Sequence, residues 1–236
     1  MNSLLQYWKH GYYTEVFLIL CIIFVLISCV KFFKKSKTHL YFLIYYGACF
    51  HLYFIINIIY YLDQKGRPHL LLTETSNTIF QLIELFVFAK YLFFQRIIFL
   101  KEEHINRIIY IFAAFSSMFI LWIFMPKTKT IDINRFSYFL TVLELIILLA
   151  LTLIYFLTLF KRPTLVNLTK TPSFWISTVL LFYCLIAIPF FTVANDIMPI
   201  NVIFFSGVYA CHTIFLAFLV LTTSLVFIWK KQQQIS

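Results

Sequence analysis

The chain has 236 residues, of which 62% are hydrophobic, 21% aromatic and 12% charged, with a mean hydropathy of +0.91 and a net charge of +10. A soluble domain is roughly 45–50% apolar and about 25% charged, so this composition excludes one and points to an integral membrane protein. The positive balance does not imply a nucleic-acid partner, because the basic residues sit at the ends of apolar runs, where orientation signals and headgroup contacts belong.

Thirty Phe and 15 Tyr against four Gly, in long unbroken runs, read as aromatic-rich helices. A β-barrel would show alternating segments of roughly ten residues separated by turns. Seven runs are long enough to cross a bilayer, which takes about 20 residues: 13–33, 38–62, 77–99, 105–126, 134–160, 173–195 and 200–229. The predicted fold class is all-α, a polytopic membrane protein with seven transmembrane helices forming one domain over 1–236. Only short connections separate the spans, the longest being 63-DQKGRPHLLLTETSN-77. Chain breakers fall between them at Gly66–Pro68, Pro126, Pro163, Pro172 and Pro199, whereas Pro189 lies inside the sixth span and frees a carbonyl there. Twelve Lys and Arg residues flank one side of the array and six the other, which predicts a cytoplasmic C-terminus and an N-terminus outside.

In the first span, 26-LISC-29 resembles a lipoprotein cleavage signal. Cleavage at Cys29 would leave KFFKKSK outside, against the charge asymmetry, and the apolar run continues to Phe33, so the span reads as uncleaved. The five cysteines (Cys21, Cys29, Cys49, Cys184 and Cys211) lie inside apolar runs without metal-ligand spacing and read as small buried hydrophobes. Span two carries Tyr46, Tyr53, Asn57 and Tyr60 on one face, with His51 beside it.

Span three, 80-FQLIELFVFAKYLFFQ-95, holds two ionisable groups, each costing about 2.5–3.5 kcal/mol to insert into hydrocarbon. Gln81, Glu84, Phe88, Tyr91 and Gln95 recur at spacings of three and four and form one stripe facing the bundle interior. Lys90 is six residues from Glu84, points away from that stripe and requires another acid. Span five supplies Glu144 at a comparable depth, on a face with Ser137, Thr141, Leu148, Tyr155 and Thr158, which makes a Lys90–Glu144 pair the expected one. Span six ends in Asn195-Asp196, read as a helix end in water, and span seven adds Ser206, Tyr209, His212 and Thr213. Small residues in spans four (Ala113, Ala114, Ser116, Ser117) and seven (Ser206, Gly207, Ala210, Cys211) read as close helix contacts.

Glu84, Lys90, Glu144, His51, Asn57, Gln81, Tyr91, Tyr209 and His212 therefore form the candidate ligand-binding set or buried polar network. Hydroxyls and single histidines also serve as packing contacts, at about 0.6 kcal/mol each; charges are harder to explain that way. The polar groups cluster toward the predicted outer half, which predicts an outward-opening polar cavity. No catalytic or metal-ligating residues and no cofactor are assigned. Span seven lacks the paired histidines of seven-span hydrolases and the Schiff-base lysine of retinal proteins. Seven spans without a repeat do not divide into the inverted halves common in transporters.

The stretches 171-TPSFWISTVLLFY-183 and 82-LIELFVFAKYLFF-94 resemble small seven-span inner-membrane proteins of Bacteroidetes, where an acid-then-aromatic third span and a P-x-F-W-I … Y sixth span recur. The layout resembles them over the whole chain, the motifs only in these two stretches. Members are functionally uncharacterised and sometimes encoded beside sensor histidine kinases, so the resemblance implies a bacterial inner membrane and a sensory or accessory role, without supplying catalytic residues. The expectation is a receptor-like or accessory subunit in the lipid bilayer, acting through another membrane protein or a kinase. A small transporter or channel is the alternative, and a metal-dependent intramembrane hydrolase the second.

Overall fold

The structure, a computed structural model, describes residues 16–27, 37–55, 67–94, 101–125, 130–161, 172–197 and 200–232. These residues form seven helices and no strand: α1 (Val16–Ile27), α2 (Lys37–Phe50, continued by a π-helical turn His51–Ile55), α3 (Arg67–Phe94), α4 (Glu102–Ile123), α5 (Thr130–Phe160), α6 (Pro172–Ile197) and α7 (Val202–Gln232). The predicted all-α membrane architecture is what forms. Within α4 to α7, four segments are long and apolar enough to cross a membrane: Glu102–Ile123, Ile133–Phe160, Pro172–Val193 and Gly207–Ser224. Helix is the required solution for such sequences, because lipid offers no partner to an unpaired backbone amide. The threonines follow the same logic: Thr152, Thr158, Thr178 and Thr213 each bond the carbonyl four residues earlier at 2.7–2.9 Å, which hides the hydroxyl in the helix itself.

One expected connection is helical instead. Residues 67–76, read as loop from Gly66–Pro68 and the polar TETSN, are the first turns of α3. Proline is tolerated there because the first turn has no intrahelical acceptor for its missing N–H. Pro172 opens α6 in the same manner, and Pro189 lies inside that helix as predicted. The segments carrying Cys29, Asn57, Tyr60, Gln95, Pro126, Pro163 and Pro199 lie outside the described residues.

Five helices close a ring: α2 packs on α3, α3 on α5, α5 on α6, α6 on α7, and α7 returns to α2. Helix α4 lies outside it, against α3 and, more lightly, α5. Leu18, Cys21, Ile22 and Val25 of α1 are buried in the core cluster shared by the ring. The outer face of α4 is a continuous apolar surface, with Tyr110, Met118 and Leu121 each about 70% exposed, as a lipid-facing helix requires. Of the predicted small-residue contact in α4, Ser116 is fully buried, whereas Ala114 and Ser117 face outward.

Candidate functional site

The ring is pinned by polar links at each of its five seams. Tyr46 of α2 donates to Thr223 of α7 at 2.8 Å, and Tyr45 of α2 donates to Glu84 of α3 at 3.4 Å. The Gln81 amide of α3 donates to the Thr141 hydroxyl of α5 at 2.6 Å. Tyr155 of α5 donates to Ser173 of α6 at 3.3 Å, and His212 Nε2 of α7 meets the Tyr183 hydroxyl of α6 at 3.3 Å. Such bonds between membrane helices contribute roughly 0.6 kcal/mol each, so their effect is to fix rotation and register more than to hold the helices together.

The two acids meet inside this ring. Glu84 is 2% exposed and Glu144 1%, and their carboxyls face each other across the α3–α5 seam within hydrogen-bonding reach. Three residues earlier on each helix, on the same faces, stands the Gln81–Thr141 bond, so the seam carries two successive polar rungs. Thr141 also donates to the Ser137 carbonyl, which spends its one hydroxyl proton. At these two rungs, Glu144 Oε1 and Gln81 Oε1 are buried acceptors with no hydrogen-bond partner. Cys184 of α6 lies within electrostatic range of both carboxyls, and Cys49 of α2 within range of Glu84. Among the described residues, neither acid has a Lys or Arg in ion-pair contact.

Lys90 does not pair with Glu144. Its Nζ donates to Glu102 Oε1 at 2.8 Å and to Asn106 Oδ1 at 2.7 Å, both on α4. The physical reason is helix geometry. Six residues at about 100° each turn Lys90 well away from Glu84, so α3 presents its acid to α5 and its lysine to α4. Glu102 and Asn106, four residues apart, share the facing side of α4's first turns.

The other candidates separate. Tyr91 is 1% exposed and packs edge-on against Phe42 with ring centroids 5.0 Å apart, so it belongs to the core beside the seam. His212, 4% exposed, sits in an aromatic cage of Tyr183, Phe190, Phe191 and Tyr209, with its Nδ1 unpartnered. Tyr209 is a half-buried member of that cage. His51 opens the π-helical turn and is exposed. A groove of about 240 Å³ between α6 and α7 is lined by Ile186, Pro189, Phe190, Val193, Phe204, Phe205 and Val208. It is apolar, distinct from the acid pair, and separated from His212 by the Phe190 ring. Among the described residues no three His, Cys, Asp or Glu side chains converge to hold a metal ion.

No family model, curated protein or solved structure matches this chain. Its chemistry has to be read from its own residues.

Sequence reasoning found Glu84, Glu144, Gln81 and Thr141 but passed over Tyr45, Cys49 and Tyr183. The signal for the first two was present: Phe42, Tyr45, Tyr46 and Cys49 recur at helical spacing, and all four are fully buried. The acids do not earn their place through stability. Two carboxyls in a dry interior, with no base among the described residues, cost more than they return, and well-packed apolar replacements of buried charged groups are often neutral or stabilising by about 1–4 kcal/mol. Replacing both, E84L/E144L, should therefore leave the protein folded with an unchanged or raised Tm in detergent. A lowered Tm would make the pair a structural element.

Proposed function

We propose that this chain is a non-enzymatic, receptor-like or accessory membrane subunit that takes a small ligand at the Glu84–Glu144 seam and acts through a partner protein. One observation carries the reading: two carboxyls are buried together with no Lys or Arg in ion-pair contact among the described residues, at a seam whose helices are cross-linked to α2 and α6, and through them to α7. Ionisable groups are kept inside a membrane where they bind or relay something. A change in the α3–α5 spacing would be passed to α2 through Tyr45 and to α6 through Tyr155. The resemblance to Bacteroidetes membrane proteins implies the same sensory or accessory role in an inner membrane, and the Lys/Arg asymmetry predicts an N-terminus outside. A small transporter or channel is the second reading, favoured by the acid pair itself, since intramembrane carboxyls also mark ion paths.

The test is native electrophoresis of the full chain extracted from its own membrane in mild detergent, beside the E84L/E144L variant. The expected result is a complex larger than the chain in its micelle, whose amount changes in the variant. Migration alone in both samples would overturn the reading. Reconstitution into liposomes decides the second one: cation flux abolished by E84L/E144L makes the chain a transporter, and the absence of flux removes that alternative.

A further inference from the structure

We propose that the occupant of the α3–α5 seam is a single positive charge, a proton or an alkali cation such as Na⁺, held between the Glu84 and Glu144 carboxyls. The proposal takes its site from the receptor reading and adds the chemistry of the ligand. Two ionised carboxyls in contact, sealed from water, repel each other strongly, and one positive charge between them removes the repulsion. Among the described residues, the surroundings present oxygen rather than base. Tyr45 donates to one oxygen of Glu84, while Glu144 Oε1 is buried with no partner. The second, independent observation is Gln81. This residue is 95% buried by its 5% exposure, and its amide nitrogen is tied to Thr141 in the same seam. That bond leaves Oε1 as a buried acceptor with nothing to accept from, about 4.5 Å along the helix from the acid rung. Carboxylate, amide and hydroxyl oxygens are the ligand set of hard cations.

Along the same seam, Glu74 of α3 meets Ser137 of α5 about ten residues before Glu84, and adds an acid rather than a base. Helix α2 contributes Tyr45 and Cys49, and α6 contributes Cys184 and Tyr183. On α7, His212 is engaged with Tyr183 rather than with the acids, and the Lys90 facing α4 is spent on Glu102 and Asn106. None of these groups places a fixed positive charge against the carboxyls.

The test is thermal unfolding of the full chain in phosphatidylethanolamine–phosphatidylglycerol nanodiscs, followed by tryptophan fluorescence. The pH is varied from about 5 to about 9 in choline chloride, then in NaCl or KCl of equal ionic strength. Raising the pH strips the bound charge from the folded state, so the wild-type Tm should fall by roughly 5–10 °C across that range. Recovery at high pH in NaCl or KCl identifies an alkali cation, and no recovery identifies the proton alone. E84Q and E144Q should each flatten the profile, while E103Q, at the exposed Glu103–Arg107 pair, should not. A flat wild-type profile in all salts, or slopes in E84Q and E144Q as steep as the wild type's, would overturn the proposal. Should the glutamine variants fail to fold, infrared spectra of the wild type replace them: a carboxylic C=O band that responds to pH or to the alkali salt supports the site, and an unresponsive spectrum sinks it. Loss of the native complex with the titration intact would defeat the receptor reading alone, and the reverse would defeat this one.

Discussion

Removing both α4 partners of Lys90, as E102A/N106L, should destabilise the protein by about 2–3 kcal/mol, whereas removing the lysine itself, as K90M, should cost less than about 1 kcal/mol. The asymmetry follows from exposure. The Lys90 side chain is 11% exposed and the Glu102 side chain 53%. Take away the lysine, and Glu102 is half in water already and needs no new partner. Take away both acceptors, and an ammonium is left in a dry contact between α3 and α4. Breaking a buried pair in that direction costs roughly 3–5 kcal/mol, reduced here because the lysine stem can extend toward solvent. Tm measurements of both variants in detergent check the order. E144Q should leave this contact intact, since Glu144 takes no part in it; equal losses in K90M and E102A/N106L would refute the account.

Phe88→Ala should be comparably damaging. Phe88 is fully buried on the inner stripe of α3, with ring centroids 6.1 Å from Phe42 and 5.2 Å from Tyr45. In a soluble protein such a truncation costs about 3–5 kcal/mol, partly through transfer of the ring out of water. Lipid is as apolar as the core, so that part of the cost is small for a membrane helix and the cavity term dominates. At roughly 24 cal/mol per Å³ and about 100 Å³ of lost ring, it comes to about 2.4 kcal/mol. Leu121→Ala, on the outward face of α4 where the side chain is 70% exposed, should cost almost nothing, because lipid fills the space. A similar loss at both positions would show that α4's outer face is covered by protein.

Helical periodicity made much of this legible in advance. Glu84, Phe88 and Tyr91 are all buried, as the spacings of span three required, and Ser137, Glu144, Leu148, Tyr155 and Thr158 are buried along α5. Buried Cys21, Cys49 and Cys184 behave as the small hydrophobes expected, whereas Cys211 faces outward. Local breaker signals were less faithful: Gly66–Pro68 marked a helix start, and the polar TETSN that followed continued the helix.

The chain's composition and its runs of apolar residues determined by themselves that this is an all-helical membrane protein, and the three-and-four spacing determined which side of each helix turns inward. These are local properties, set by the need to bond every backbone group and to hide polar side chains from lipid. Which helices meet is not local. The sequence gives Lys90 and Glu144 similar depths, but depth carries no information about neighbours, and the α3–α4 hairpin brings Glu102 and Asn106 to the lysine first. Only that packing leaves Glu84 and Glu144 facing each other with no base among the described residues, and so turns two isolated acids into one site.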